Sequence, residues 1–346
     1  MSAAAPRSIL IVRLSAIGDV VMASPLIAAL RQRFPHARIA WLVQPECAPL
    51  LERNGELDEV IIWPRSEWLQ LWRERRWREV VRRVWAFRRS MKAHRFDLAL
   101  ELQGLAKSGI LTGLSGATER VGLGSKEGSA LLMSRVVAKP EGDKRIGSEY
   151  RHLADALGLE TAPFRMVVAL EDEDKAYAHA FIDGLAGESY AVLCPFTTRP
   201  QKHWLESCWV ELIRRLREKF GLQVLILGGP GDVDAAQRLA GAVDGAVQNL
   251  VGKTTLRQAA ALIKEARVLI GVDTGLTHMA AAFRTPSVAL FGATRPYFDA
   301  GTSDSVVLYH PFACSQCRRR PTCAGAYSCM AALIVVAVVP AAAGVM

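Results

Sequence analysis

Short apolar segments alternate with segments of helical length along most of the chain, and this alternation limits the folds open to it. The first half has four short segments of apolar and β-branched residues, at 8–13, 38–43, 60–63 and 96–102, and a helical pattern at 19–34. The second half has strand-like segments at 190–194, 223–227, 246–250, 268–272 and 287–291, and helical patterns at 207–219, 233–242, 255–264 and 276–283. Strands that alternate with helices in this way form parallel sheets with crossover helices.

The chain is long enough for two domains. A chain of 346 residues exceeds what one hydrophobic core usually serves. The acidic segment EDEDK at 171–175 separates the two alternating halves, which gives domains 1–170 and 171–346. We therefore predict an α/β fold with two doubly wound, Rossmann-like domains. A ligand is expected in a central cleft that both domains face, at the carboxyl ends of their strands.

The composition excludes several classes of protein. With 51% hydrophobic and 22% charged residues, the chain is neither disordered nor collagen-like. No apolar run is long and uninterrupted enough to predict a membrane span, and the N-terminal segment lacks the pattern of a secretory signal. Seven cysteines, an odd number, argue against a disulfide framework. These features favour a cytoplasmic enzyme.

Positive charge is concentrated between residues 65 and 95. This segment holds eleven Arg or Lys residues against three Glu, while the whole chain has a net charge of +9. Five of the eight Trp residues lie in or beside it. Basic and aromatic residues interleaved on a helix suit nucleic acid, an anionic membrane surface or a phosphorylated glycolipid. A solvated amphipathic helix whose Trp residues pack on its own domain explains the pattern equally well.

Asp19 lies where the first strand passes into the first helix. Gly18 lets the backbone approach a ligand closely, and Asp19 is at the N-terminal end of the helix. An Asp in this place either caps the helix or accepts a proton from a substrate hydroxyl.

Two loops of the second half are suited to an anion. At 271–278 a strand ends in Asp273-Thr274-Gly275 and a helix begins at once, so that free N–H groups and the positive end of the helix dipole meet any anion there. His278, in the first turn, either faces a ligand or packs in the core. The loop TTRPQKHW at 197–204 could hold a diphosphate through its hydroxyls and Lys202.

Three further patterns carry weaker signals. The Gly-rich turn at 228–232 offers Asp232 as a ribose contact or as a helix cap, and Gly252-Lys253-Thr254 only mimics a P-loop because Val247 replaces its first Gly. Four cysteines, Cys314, Cys317, Cys323 and Cys329, could hold a structural zinc ion or remain free buried thiols. The uncharged segment 331–346 is expected to be buried, since an exposed apolar tail would promote aggregation.

Taken together, these loops resemble glycosyltransferase family 9, the ADP-heptose:lipopolysaccharide heptosyltransferases. The resemblance rests on RLSAIGDVVMASP, ELQGLAKS, TTRPQKHW, GVDTGLTHMAAA and GATRP, which occur in the family's order and spacing. The TTRPQKHW loop and the Arg/Trp-rich helix are most similar to the branch that adds the first heptose to Kdo-lipid A. The apolar C-terminus departs from the polar amphipathic helix usual in the family, and the cysteine group is similar to that of the branch that adds the second heptose.

The resemblance implies a GT-B fold, inversion at the anomeric carbon and chemistry that needs no metal cofactor. It also implies that the last residues pack back on the N-terminal domain. Asp19 corresponds to the general base. The donor ADP-heptose would be bound by residues of the second domain: Thr197, Thr198, Lys202, Asp232, Thr254, Asp273, Thr274, Gly275, Leu276 and His278. The acidic acceptor would be met by a helix at 73–89 and a nearby lysine, with the contacts Arg73, Arg76, Arg78 and Lys126.

The implied partners are ADP-heptose, a Kdo-lipid A or core lipopolysaccharide acceptor, and the anionic inner face of the inner membrane, on which a cytoplasmic enzyme would act peripherally. A transferase that acts later in core assembly, or that uses another sugar donor, is an alternative with the same fold. A nucleic-acid-binding protein fits least, because the Asp-Thr-Gly loop and the Gly-rich loop would have no role in it.

Overall fold

The computed structural model describes residues 5–185, 187–243, 247–317 and 320–346. The chain divides into two compact units, one of Met1–Asp143 with Gly147–Ala169 and the other of Lys144–Ile146 with Leu170–Met346. Within the described ranges, no helix is both long enough and apolar enough to cross a membrane.

The first unit contains a six-stranded sheet in which every strand pairs in parallel with its neighbours. Its strands are β1 (Ser8–Val12), β2 (Arg38–Val43), β3 (Glu59–Ile62), β4 (Leu98–Glu101), β5 (Glu119–Leu123) and β6 (Arg135–Val137). Its helices are α1 (Ile17–Ala23), α2 (Pro25–Arg33), α3 (Arg65–Arg73), α4 (Trp77–Ala93), α5 (Ala106–Ser115) and α6 (Ser148–Ala156). The strand order is β3-β2-β1-β4-β5-β6.

The second unit contains another six-stranded parallel sheet. Its strands are β7 (Tyr190–Cys194), β8 (Gln223–Ile226), β9 (Val247–Asn249), β10 (Val268–Val272), β11 (Ser287–Phe291) and β12 (Ser305–Tyr309). Its helices are α7 (Asp172–Asp183), α8 (Glu206–Phe220), α9 (Val233–Gly241), α10 (Leu256–Lys264), α11 (Gly275–Phe283), α12 (Ser328–Ala331) and α13 (Val335–Val345). The strand order is β12-β11-β10-β7-β8-β9.

The two sheets share one topology. In each unit the first strand lies beside the fourth, so that β1 pairs with β4 and β7 pairs with β10. The strand order reverses at these pairs, and in open α/β sheets the carboxyl ends of the strands at such a point bind ligands. The central strands are buried along their whole length, as strands covered on both faces must be. The predicted α/β class with two doubly wound domains is confirmed.

Two predicted helices are each divided in the structure. The pattern at 19–34 forms α1 and α2, because Pro25 lacks the N–H that would continue α1 and instead begins a new helix. The predicted helix at 73–89 is likewise wrong at its start. Arg73 is the last residue of α3, and the left-handed backbone of Arg75, with φ of 57°, separates α3 from α4.

The sequence patterns missed three strands. β6 is short and largely exposed, and β5 begins with an exposed charged residue, so neither has the continuous apolar run of a buried strand. The edge strand β12 does have such a run, in the sequence SVVLY, and was missed although the signal is present. The strand predicted at 246–250 is β9, and residue 246 lies outside the described residues.

The acidic segment at 171–175 is part of a helix and not a linker. It forms the first turn of α7, where Glu171 and Asp174 lie 2.9 and 3.2 Å from the guanidinium nitrogens of Arg257 on α10. These ion pairs join the segment to the second unit.

The apolar C-terminal segment is buried along one face only, so the expectation that it is buried is met in part: Ile334 and Val336 are more than half exposed. Its helix α13 packs against α8 and against β10, β11 and β12, with one face of Val and Ala side chains in the core of the second unit. The structure assigns these residues to the second unit, and the expectation that they also pack back on the N-terminal domain stays a prediction. The apolar face of α13 completes the cover of its own unit's sheet.

Candidate functional site

Asp19 lies just beyond the carboxyl end of β1, as the third residue of α1. Its Oδ2 accepts a hydrogen bond from the N–H of Ala16 at 3.2 Å, so the side chain does cap the helix. The same oxygen lies 2.5 Å from Nη2 of Arg13, and 35% of the Asp19 side chain is exposed. The carboxylate is thus fixed in position and still within reach of a ligand.

Arg13 is a residue of this site that sequence reasoning missed. Its side chain is 7% exposed, and its Nη1 donates to the carbonyl of Leu102 at 2.8 Å. The guanidinium also lies 6.0 Å from the ring centroid of Tyr150. Burial alone would lower the pKa of Arg13, but Asp19 together with Tyr150 and Glu149 outweighs this effect, and the pKa is raised. A basic residue directly after a buried strand was the signal that could have found it.

Glu101 ends β4 and is fully buried. Its carboxylate accepts hydrogen bonds from the backbone N–H groups of Gln103 and Gly104 at 2.8 to 3.0 Å. Burial raises the pKa of Glu101, and these N–H groups and Arg13 only partly oppose the shift. Because no part of Glu101 is exposed, it shapes the loop after β4 and does not face a substrate.

In the second unit, three of the residues predicted to bind ADP-heptose contact one another. Lys202 and His278 both reach Asp273, which follows β10. The Nζ of Lys202 lies 2.5 Å from Oδ2 of Asp273 and donates to its backbone carbonyl at 3.1 Å. Nε2 of His278 lies 3.2 Å from Oδ1. Burial alone would raise the pKa of Asp273, but His278 and Lys202 hold it well below its usual range.

Two more residues of this cluster were not foreseen. The hydroxyl of Thr294 donates to Oδ2 of Asp273 at 2.5 Å, and the hydroxyl of Tyr297 lies 3.3 Å from Nδ1 of His278. Burial and the nearby Asp273 raise the pKa of Tyr297, so the hydroxyl stays protonated. Thr294 belongs to the GATRP motif, which gave a signal for the region although not for this residue.

The helix that follows Asp273 presents its N-terminus at the same edge of the sheet. Thr274 precedes α11 in an extended conformation, and its side chain makes no capping hydrogen bond. The first N–H groups of a helix have no partner within it, so those of Gly275 and Leu276 are available to an anion. Gly271 allows the tight packing beneath, since a Cβ there would lie 2.3 Å from Oγ1 of Thr277.

The loop after β7 is fixed at both ends. The carbonyl of Thr197 bonds to Nε2 of His203 at 2.7 Å, and Nε1 of Trp204 donates to the carbonyl of Leu333 at 2.6 Å. Between them, Lys202 ends a short 3-10 turn, and the side chain of Thr198 is exposed. This arrangement holds Lys202 against Asp273, which directly follows β10.

The structure does not join Asp232 and Thr254 to the Asp273 cluster. Asp232 follows β8, where its Oδ2 accepts from the N–H of Gly229 at 2.9 Å. Thr254 follows β9 and is partly buried just before Thr255, the N-cap of α10. In the part of the chain that the structure describes, neither side chain bonds to Asp273 or its partners.

The predicted acceptor residues are all exposed in the first unit. Arg73 ends α3, Arg78 lies in the first turn of α4, and Lys126 lies in the loop after β5. Arg76 precedes α4 and is held by Glu79 at 2.5 Å and Glu74 at 3.2 Å.

The Trp residues of the basic segment divide into two groups. Trp63 is buried and packs edge-on against the partly buried Trp68, which agrees with the reading of Trp residues packed on their own domain. Trp72 and Trp85 are 58% and 61% exposed, and Trp77 packs edge-on against Trp72. The exposed group is accessible to a partner, and its role as a binding surface stays a prediction.

The four clustered cysteines are free thiols. Cys314 is exposed, Cys329 is buried, and Cys317 and Cys323 are intermediate. Residues 318 and 319, which lie between them in the sequence, are outside the described residues. Among those that are described, no three His, Cys, Asp or Glu side chains come together as ligands for a metal ion.

The comparisons with known proteins identify the family. The model of glycosyltransferase family 9 (heptosyltransferase) matches residues 84–328. The chain belongs to glycosyltransferase family 9. Lipopolysaccharide heptosyltransferase 1 of Pseudomonas aeruginosa is 29% identical to it over 91% of this chain and 87% of that protein. Lipopolysaccharide heptosyltransferase 2 of Escherichia coli is 28% identical over 84% of each chain.

A solved family 9 structure agrees with the fold. Escherichia coli heptosyltransferase WaaC with ADP-2-deoxy-2-fluoro heptose has a TM-score of 0.70 and 26% identity, covering 96% of this chain and 98% of that one. The GT-B fold class predicted from the sequence is thus confirmed, and this member of family 9 is a glycosyltransferase. Its two polar clusters lie at equivalent places, one at the β1–β4 pair and one at the β7–β10 pair.

Proposed function

We propose that this family 9 enzyme transfers a heptose from ADP-heptose to the Kdo-lipid A or inner core of lipopolysaccharide, with inversion at the anomeric carbon. The observation that carries the proposal is the pair of unlike clusters at the two switch points. One presents a partly exposed carboxylate, Asp19, beside a buried cation. The other presents a lysine, two Thr hydroxyls and a helix N-terminus, which suit a diphosphate.

The reaction follows from these groups. An acceptor hydroxyl attacks the anomeric carbon of the heptose, the bond from that carbon to the β-phosphate oxygen breaks on the opposite face, and ADP leaves with the bonding electrons. Asp19 accepts the hydroxyl proton as general base. A single in-line displacement of this kind requires no covalent intermediate on the enzyme, which agrees with inversion.

The leaving diphosphate gains negative charge as the bond breaks. Lys202, the N–H groups of Gly275 and Leu276, and the hydroxyls of Thr197, Thr198 and Thr274 can stabilise that charge, so we propose that no metal cofactor is required. Asp273 and His278 would orient Lys202 and bond to heptose hydroxyls, and Asp232 and Thr254 would contact the nucleoside.

The first unit would hold the acceptor and meet the membrane. Arg73, Arg76, Arg78 and Lys126 offer cations to the phosphates and carboxylates of the acceptor. The exposed Trp72, Trp77 and Trp85 lie in the same basic segment, a combination typical of protein surfaces that bind an anionic bilayer. We therefore place the enzyme at the cytoplasmic face of the inner membrane, as a peripheral protein.

The acceptor is the part of the proposal with a second candidate. The relatives include heptosyltransferases 1 and 2 at nearly equal identity, so a transferase that acts on an already heptosylated core is the alternative. The purified enzyme is to be incubated with ADP-heptose and either Kdo-lipid A or its monoheptosylated form. A mass gain of one heptose on only one acceptor, with release of ADP, decides between them. No transfer to either acceptor would contradict the proposal.

The membrane contact has its own test. Replacing Arg78, Arg88 and Arg89 by Gln removes three cations of α4, of which Arg78 and Arg89 are exposed and Arg88 is partly buried. Each cation contributes about 1 kcal/mol near an anionic surface. We expect co-sedimentation with phosphatidylglycerol vesicles to fall about a hundredfold or more in affinity, while ADP binding is unchanged. Replacing Lys264, an exposed residue of α10, is the control and should leave vesicle binding intact. Steeply salt-dependent binding to DNA or RNA, with no affinity for vesicles, would contradict the assignment.

A further inference from the structure

We propose that Arg13 is a positioning residue for Asp19, holding its carboxylate in one orientation and in its charged form. The inference rests on the proposed role of Asp19 as general base. It goes beyond that role because Arg13 would contact neither substrate and would act only through Asp19.

Arg13 is itself held from three sides. Its Nη1 donates to the carbonyl of Leu102 after β4, its guanidinium lies over the ring of Tyr150 on α6, and its own backbone carbonyl accepts from Nε1 of Trp41 on β2 at 3.1 Å. With the cation fixed to the sheet in this way, the 2.5 Å contact from Nη2 fixes Oδ2 of Asp19. The N–H of Ala16 reaches the same oxygen. A base held by two donors at one oxygen keeps a constant direction toward the acceptor.

The burial of Arg13 is costly for the fold, which argues for a functional reason. A buried guanidinium loses its hydration, and replacing a buried ion pair by apolar residues often stabilises a protein. Within the described ranges, Nε of Arg13 is a buried donor with no hydrogen-bond partner. A buried arginine that served the fold alone would be expected to have all its donors satisfied, and Nε of Arg13 is not. Its contact with Asp19, by contrast, is short and direct.

The surroundings of the pair determine how removal of the cation would act. The titratable and charged groups that face it from neighbouring elements are Cys47, Glu101, Glu149 and Tyr150. The two glutamates bring no positive charge to Asp19, and the Nζ of Lys139 is paired with Glu149 at 2.6 Å. Arg13 is thus a cation in direct contact with Asp19, and without it a proton would bind the Asp19 carboxylate more readily.

The test compares Arg13→Met and Arg13→Lys with the unchanged enzyme. We expect Arg13→Met to lower kcat by about a hundredfold, as expected when a base is misplaced by about 1 Å. The acidic limb of the pH profile of kcat/KM should move to higher pH, since that limb reports the ionisation of the base. Arg13→Lys keeps the charge and should recover most of the rate and the original limb. A purely structural role would lower the melting temperature without moving the limb.

Arg31 supplies a matched control in the same unit. Its guanidinium pairs with Asp58 at 2.6 Å and also donates to backbone carbonyls, as that of Arg13 does. None of these partners belongs to the Asp19 site. Arg31→Met should lower the melting temperature and leave the pH profile in place. If Arg13→Met does not fold, Arg13→Lys and Arg13→Gln provide the same comparison of pH profiles.

A double variant separates this inference from the proposed function. If Arg13 acts through Asp19, adding Arg13→Met to Asp19→Asn should cause no further loss of kcat. Full activity of Asp19→Asn would overturn both the role of Asp19 and the inference. An inactive Asp19→Asn together with an Arg13→Met enzyme of normal kcat and unchanged pH profile would overturn the inference alone.

Discussion

Each unit carries an ion pair at the switch point of the same topology, and the two pairs differ in how far the carboxylate is buried. In the first unit the cation Arg13 is 7% exposed and the carboxylate Asp19 is 35% exposed. In the second unit Lys202 and Asp273 are 15% and 13% exposed, and Asp273 also bonds to His278 and Thr294. One pair presents a carboxylate to its surroundings, whereas the other encloses it.

This difference indicates that the two carboxylates have different tasks. A general base must reach the proton that it accepts and must be able to take it up. Asp19 is accessible, while Asp273 is surrounded by donors that favour its charged form and hold its pKa low. Asp273 is thereby suited to orient Lys202 and His278, and poorly suited to accept a proton. The same strand order has produced an accessible carboxylate in one sheet and an enclosed one in the other.

The largest expected effect separates the two carboxylates directly. Asp19→Asn keeps the shape and the capping contact but loses basicity, so turnover should fall by about two to four orders of magnitude. ADP affinity, measured by calorimetry, should remain unchanged, because the donor is assigned to the second unit. Asp58→Asn removes the carboxylate of the Arg31 pair and is the control, with an effect on stability only. Near-normal turnover of Asp19→Asn would leave Asp19 as a helix cap.

A smaller effect is expected at Lys202. Lys202→Ala removes a charge-assisted contact to the diphosphate, usually about 1.5–3 kcal/mol, and leaves the Asp273 carboxylate to repel it. ADP should therefore bind at least about tenfold more weakly, and turnover should fall with it. In the double variant Lys202→Ala with Asp273→Asn the repulsion is gone, so part of the affinity should return. If ADP affinity is unchanged in Lys202→Ala, the second pair is not a diphosphate site.

The smallest effect concerns stability in acid. Because the folded-state pKa of Asp273 is lowered, its ionised form stabilises the fold above the unfolded value of about 3.9, and this contribution is lost as the pH falls below it. Between pH 7 and pH 3, the melting temperature of Asp273→Asn should therefore fall less than that of the unchanged enzyme. Asp183→Asn, at an exposed end of α7, should behave like the unchanged enzyme. Equal losses for all three proteins would show that the Asp273 pair does not stabilise the fold.

Much of the fold could be predicted because local patterns carry it. Strands such as β1, β7 and β10 are buried on both faces, so their apolar runs are visible in the sequence. The largely exposed β6 lacks such a run and was missed, whereas the edge strand β12 was missed although its sequence has one. The break between α3 and α4 depends on the left-handed backbone of Arg75, a conformation that an Arg residue does not signal.

The candidate site was predictable in its loops and only partly in its contacts. Asp19, Lys202 and Asp273 each follow a strand, and the carboxyl ends of neighbouring parallel strands share one edge of a sheet, which is enough to nominate them. The grouping of Lys202, Asp273 and His278 required the pairing of β7 with β10, which joins segments more than seventy residues apart in the chain.

The sequence alone therefore determined the fold class, the family and the loops that carry the polar residues, because periodicity and motif order are local properties. The tertiary structure decided how far the carboxylate of each ion pair is buried. Arg13 became the fixed cation of Asp19 through Leu102, Tyr150 and Trp41, three residues contributed by other segments of the chain. Burial and electrostatic environment depend on such distant neighbours, so no local pattern could show that Asp19 is accessible while Asp273 is enclosed.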